Sequence, residues 1–290
     1  MQKILLLFIV TFFYTINISP QHAPVSGFEF LPPGLNFMPL KANNQEAKIG
    51  VLYHTATTNL KVDIGNNIDL FGYNFPQSSA RLTAGIEFLA YALSTSYKGN
   101  RLQIDAVDGF FGGNLSYSQI SGDGDKVLVR LRIIHNSAHF VDGHYDAATK
   151  QWIDNLEPNP YTEDFGELTA GHQLNFNKTI FKYFGGFSYS TLIRPSDLNR
   201  YNFHAGFELA YPFGKLAGKD ENIFLANYIN TDGIGEYIIN QQTMLGVKFG
   251  NWEEKGILLY LSYYTGGDIF GSYYKRKISK FAVGFSVDFP

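Results

Sequence analysis

Apolar residues recur at every second position in one segment after another of this chain, and a period of two is the signature of a β-strand with one apolar face. The pattern is plainest in residues 127–139, Val-Leu-Val-Arg-Leu-Arg-Ile-Ile-His-Asn-Ser-Ala-His. On a strand Val127, Val129, Leu131, Ile133, His135, Ser137 and His139 share one side, while Arg130, Arg132 and Asn136 share the other. The last segment repeats the pattern, with Phe281, Val283, Phe285, Val287 and Phe289 alternating with Ala282, Gly284, Ser286 and Asp288. A fold built from such segments must hide one side of each strand from water and give the other side polar company.

Twelve segments can be read this way, at 48–54, 61–74, 80–97, 101–118, 126–140, 164–175, 180–193, 201–212, 222–229, 235–249, 256–264 and 278–289. Turn chemistry separates them at Lys98-Gly99-Asn100, Ser121-Gly122-Asp123-Gly124-Asp125, Asn177-Lys178 and 214–221. An even count suits a closed single-chain barrel, and aromatic residues at 16% supply the girdles of a transmembrane one. The expected fold is therefore all-β, a transmembrane antiparallel β-barrel of about twelve strands. Closure matters because an unpaired backbone group in hydrocarbon costs several kcal/mol. A soluble sandwich or lipocalin-like barrel is the rival, but these turn the apolar face inward and rarely need a dozen strands.

Residues 1–21 read as a signal peptide, with Lys3 ahead of Ile-Leu-Leu-Leu-Phe-Ile-Val. Residues 22–47, with Pro32, Pro33 and Pro39, read as a periplasmic leader or plug-like arm, and 48–290 as the outer-membrane barrel. No run of about 18 apolar residues follows, which argues against an inner-membrane helical protein. The absence of cysteine excludes disulfides, thiolate metal sites and an N-terminal lipid anchor on cysteine. A net charge of −3 gives no sign of a nucleic-acid partner. The localisation that follows is the bacterial outer membrane, with membrane lipids and the barrel-assembly machinery as partners and a homodimer left open.

With both chain ends in the periplasm, the strand at 126–140 runs outward and ends beneath the longest loop. About nine to eleven residues cross the hydrocarbon, so His135 and Ser137 come to headgroup depth. Arg130 and Arg132 then face the lumen, where Asp63, Asp105 and Asp108 offer partners. Asp105 and Asp108 differ in parity, and the neighbours of Asp105 make it the better lumen residue unless a bulge intervenes. Such an interior could instead line a narrow pore. The tyrosines at 263, 264, 273 and 274 are expected in a girdle.

His135-x-Ser137 in a barrel strand is similar to the His-x-Ser motif of outer-membrane phospholipase A and of the lipid A 3-O-deacylase. That resemblance implies Ser137 as nucleophile, His135 as general base and a third polar residue from the next strand to orient the histidine. Parity favours Asp164 as that residue; Asp142 and Glu163 are alternatives. Ala138 stands where those hydrolases carry asparagine, and the loop before Asp164 is longer than theirs. Backbone amides near Gly143 are the only suggestion for an oxyanion donor. Over most of its length the chain resembles a bacterial family of unknown function whose block runs His-x-Ser-Ser-His-Leu-Gly-Asp, here His135-Asn136-Ser137-Ala138-His139-Phe140-Val141-Asp142. Phe30-Leu31-Pro32, Pro39-Leu40-Lys41-Ala42 and Lys61-Val62-Asp63-Ile64-Gly65 resemble it too.

The function expected is hydrolysis of an acyl ester of lipid A or a phospholipid, by a serine esterase or lipase with no cofactor. The alternative is a non-enzymatic barrel, a narrow channel or a structural component, in which His135 and Ser137 are polar ends of a lipid-facing stripe. His139, Asp142, His144 and Asp146 carry metal-type donors without a recognised spacing, and no metal is expected.

Overall fold

A computed structural model describes residues 27–97, 101–141, 145–153 and 157–289. The signal peptide, the first part of the leader at 22–26, the turn Lys98-Gly99-Asn100, the loop residues Asp142, Gly143 and His144, and Pro290 lie outside the described residues. The strands are β1 (Gly27–Phe30), β2 (Ile49–His54), β3 (Leu60–Asn74), β4 (Ala80–Tyr97), β5 (Arg101–Ile120), β6 (Lys126–Phe140), β7 (Tyr145–Asp146) and β8 (Gln151–Trp152). They continue with β9 (Tyr161–Phe176), β10 (Thr179–Arg194), β11 (Tyr201–Leu216), β12 (Lys219–Asp232), β13 (Ile238–Phe249), β14 (Gly256–Gly267) and β15 (Lys277–Asp288). Strands β2–β6 and β9–β15 form a closed antiparallel barrel of twelve, with β15 on β2 and β3 on β4 completing the ring. No described helix is long and apolar enough to cross a membrane, a statement that leaves strands aside.

Alternation sets the two surfaces of the wall. Leu131, Ile133, Phe88, Phe187, Leu245 and Phe285 stand exposed on the outside, and Ile133 keeps 69% of its surface open. Arg130, Arg132, Asn136 and Glu167 are buried inside. Such large apolar exposure is unsuited to water and suited to hydrocarbon. One end of the barrel has compact turns. Two-residue turns join β9 to β10 through Asn177 and Lys178, and β11 to β12 through Ala217 and Gly218, the latter two both at positive φ (50° and 77°). The other end carries the long connections, including the β7–β8 hairpin between β6 and β9.

The leader runs through the barrel rather than beside it. β1 pairs with the last four residues of β3, Gly27 opposite Asn74 and Phe30 opposite Phe71, so it extends the wall. From Leu31 onward the chain turns into the lumen, where Phe37, Leu40 and Ala42 are buried with Phe224, Trp252 and Leu258 of the barrel. Ionic ties hold it there: Lys41 Nζ lies 2.8 Å from Asp288 of β15, and the Lys41 backbone N–H donates to Glu208 of β11 at 2.7 Å.

The lumen arginines take glutamates as partners, not the aspartates expected from the sequence. Arg130 is paired in two-pronged fashion with Glu46 of the leader, and Arg132 spans Glu87 of β4 and Glu167 of β9. Asp63 pairs with its neighbour Lys61, Asp105 accepts from Thr95 and Gln103, and Asp108 accepts from the Gly271 backbone N–H. Asp105 and Asp108 both face inward because the β4–β5 register passes from Leu93–Ala106 to Ser94–Ile104 and leaves Asp105 as the extra residue of a bulge.

Glu46 lies in the leader, outside the strands. Burial raises its carboxyl, but the Arg130 and Arg132 guanidinium groups outweigh that and bring it from 4.5 down to about 2. A carboxyl depressed on folding stabilises the native state above its unfolded value, and that contribution fades as pH falls through the folded value. The leader is therefore expected to stay docked at pH 5 and to loosen only between about pH 4.5 and 2. Protease cleavage within the leader, followed against pH in detergent, checks this; loosening already above pH 5 would contradict it.

Candidate active site on the outer wall

Strand β6 carries the candidate residues on its outward face, between β5 and β9. Register fixes their neighbours: His135 faces Phe111 and Asp164, and Ser137 faces Gly109 and Thr162. His135 Nδ1 and Asp164 Oδ1 are 2.5 Å apart, with both side chains partly open at 38% and 42%. The Phe111 ring packs on the His135 imidazole, centroids 5.2 Å apart. Sequence parity singled out Asp164, and the antiparallel register brings it level with His135. Glu163, the neighbouring alternative, points inward, where it accepts from the Tyr161 and Ser190 hydroxyls. Asp142, the other alternative, and Gly143 lie outside the described residues.

Ser137 Oγ makes its hydrogen bond with His139 Nε2 at 2.9 Å, so the structure brings the serine to the following histidine rather than to His135. His139 shares the outward face two positions on, where strand parity in the sequence also places it. Four polar groups thus form one row along the wall, Asp164 with His135 and Ser137 with His139. Opposite Ser137, Gly109 leaves open space: a side chain there would meet nothing nearer than the Ser137 carbonyl oxygen at 3.9 Å. The wall is therefore open beside the hydroxyl, with Phe111 two positions along the neighbouring strand. Thr162 closes the other side and donates to the Asn136 carbonyl at 3.0 Å.

With Nδ1 engaged by a carboxylate, His135 has Nε2 left for acid or base work, which is the geometry of a histidine oriented by an acid. A hydroxyl held by an imidazole nitrogen at 2.9 Å is the starting arrangement for nucleophilic attack. Among the described residues no group of three or more His, Asp or Glu side chains could hold a metal ion. The tyrosine pairs fall differently from the girdle expectation. Tyr263 is outward and exposed, whereas Tyr273 is buried and Tyr264 and Tyr274 border a cavity in the lumen, because the 268–276 connection folds back over the barrel mouth.

A closed antiparallel barrel with an apolar outer wall, a polar lumen and an inserted leader is a transmembrane β-barrel of the outer-membrane type. The chain belongs to the family described as protein of unknown function (DUF1207), whose model matches residues 15–289. No curated protein matches it. Solved structures similar to it include the β domain of the Bordetella autotransporter Brka, at 10% identity, 84% of this chain, 100% of that chain and a TM-score of 0.45. Another is the translocator domain of the autotransporter NalP from Neisseria meningitidis, at 12% identity, 83% of this chain, 85% of that one and a TM-score of 0.41. Outer-membrane expressed OmpT of Vibrio cholerae is similar at 12% identity, 86% of this chain, 98% of that one and a TM-score of 0.36.

Proposed function

We propose that this barrel resides in the bacterial outer membrane and hydrolyses an acyl ester of an outer-leaflet lipid, a phospholipid or lipid A, at Ser137. The observation that carries the reading is the outward row in which Asp164 holds His135 and Ser137 holds His139, on a face otherwise made of apolar side chains. Lipids are the molecules that such a face meets. The local likeness of His135-x-Ser137 to the motif of outer-membrane phospholipase A and the deacylase adds the reaction class.

Ser137 Oγ attacks the ester carbonyl carbon while a histidine takes its proton, giving a tetrahedral oxyanion. Collapse breaks the bond to the alcohol oxygen, which receives that proton, and leaves an acyl-serine. Water, deprotonated by the same histidine, then releases the fatty acid and restores the serine. His135 is the base in this reading, because Asp164 fixes its tautomer; Ser137 reaches it by turning about χ1 away from His139. Self-association through the exposed wall is compatible with the reading and is not required by it.

Lipid mass spectrometry of cells bearing wild type or Ser137→Ala tests the function. Loss of deacylated lipid with the variant is expected, and unchanged acylation in a folded barrel rejects the reading. Purified His135→Ala is expected to lose at least about a hundredfold in ester turnover, the usual contribution of a general base, while His139→Ala keeps most of it. The reverse order would move the base to His139.

A further inference from the structure

At the long-loop end, above the inserted leader, the lumen opens into a cavity of about 340 Å³. Its wall is drawn from the leader, several strands, the 195–200 and 233–237 connections and the 268–276 connection. The volume falls in the range of small-molecule sites. Four of its lining side chains are more than nine-tenths buried and hold a polar atom with no partner among the described residues: Asn43 Nδ2, Asp108 Oδ1, Asn136 Oδ1 and Gln242 Oε1. Their other polar atoms include several that are engaged and so hold the groups in place. Asp108 Oδ2 accepts from the Gly271 N–H at 2.7 Å, Gln242 Nε2 donates to Ser262 at 3.1 Å, and Asn43 Oδ1 accepts from the Gln45 N–H at 2.9 Å.

Buried polar atoms are almost always matched in folded proteins, so four unmatched ones around one space mark it as built for something polar. We infer that this vestibule binds a small neutral saccharide through Asn43, Asp108, Asn136 and Gln242. Counting also Nδ2 of the half-buried Asn199, three of the free atoms accept and two donate, and a sugar hydroxyl does both. A phosphate or uronate would bring negative charge to a lining in which five carboxyls, Asp108, Glu163, Asp232, Glu236 and Asp268, outnumber two amines, Lys275 and Lys277. A primary amine would satisfy the acceptors and leave Asn43 Nδ2 unmatched. An apolar ligand would leave all four unmatched. Tyr228, Tyr264 and Tyr274 also border the cavity and add apolar surface for the C–H side of a pyranose. The inference stands apart from the hydrolase reading, because Asn136 and Ser137 point to opposite faces of β6.

The full chain, purified in a detergent that is not a glycoside, is titrated calorimetrically with galactose, N-acetylglucosamine, maltose, galacturonate and putrescine. At least one of the three neutral sugars is expected to bind. Asp108→Asn and Gln242→Met, which keep side-chain size, are each expected to weaken it about tenfold, the scale of one lost hydrogen bond to a buried polar group. Circular dichroism and heat-modifiable gel mobility report whether each variant is folded, and Ser137→Ala is expected to bind as wild type. Three outcomes overturn the inference: no binding by any neutral sugar, binding of putrescine or galacturonate alone, or equal affinity in both folded variants.

Discussion

Arg132→Met is expected to destabilise the barrel by about 3–5 kcal/mol, the cost of breaking a buried ion cluster by removing one partner. Arg132 has 1% of its side chain exposed and donates to Glu87 through Nε at 3.0 Å and Nη2 at 2.9 Å, to Glu167 at 3.1 Å and to the Gln45 carbonyl at 2.8 Å. It therefore ties β4, β9 and the leader to β6. Without it Glu87 and Glu167 remain in the closed lumen with one less cation, and one of them must take up a proton or draw in water. Urea unfolding in lipid vesicles, read by gel mobility, measures the loss. Adding Glu87→Gln and Glu167→Gln to Arg132→Met is expected to recover most of it, since the uncompensated charges go with the arginine. If the single variant unfolds at the wild-type urea concentration, the cluster is already hydrated and the argument fails.

Excision of residues 31–46 is expected to turn a closed barrel into a conducting one. The segment places Phe37 and Leu40 across the lumen, against Phe224, Trp252 and Leu258 from two strands and one turn. Lys41 and Glu46 anchor it to three well-separated strands of the wall, through Asp288 of β15, Glu208 of β11 and Arg130 of β6. Removing it leaves an interior lined by charged and amide side chains, which water would fill. The freed Arg130 would be solvated there, so the excision costs less than neutralising Glu46 inside an intact lumen. Planar-bilayer recordings should show stable current steps for the excised protein and none for wild type. Silent recordings from an excised barrel that is folded and inserted would show that the wall side chains close the lumen by themselves.

Much of the wall was legible because alternation is a local property. The strands read at 80–97 and 126–140 coincide with β4 and β6, and the one read at 256–264 differs from β14 only at its far end. Strands β11 and β12 run several residues further than read, to Leu216 and from Lys219, because their hairpin closes on two residues rather than on the eight expected at 214–221. The bulge at Asp105 was not legible, since a bulge shows itself only against the partner strand. The leader's place was hidden for a related reason: Phe37 and Leu40 follow no period, and what buries them comes from residues nearly two hundred positions away.

On the outer face, the sequence by itself determined which side chains share a side: His135, Ser137 and His139 on one, Arg130, Arg132 and Asn136 on the other. It also favoured Asp164 on the outward side of the next strand, with Glu163 left as an alternative that the structure turns inward. Tertiary structure decided that Asp164 stands level with His135, that Ser137 turns to His139, and that Glu46 from the leader, not an aspartate of the wall, meets Arg130. The reason is physical. Facing is set by the backbone of one strand, whereas level and contact depend on register between strands and on which segment fills the lumen, and both are settled only when the barrel closes.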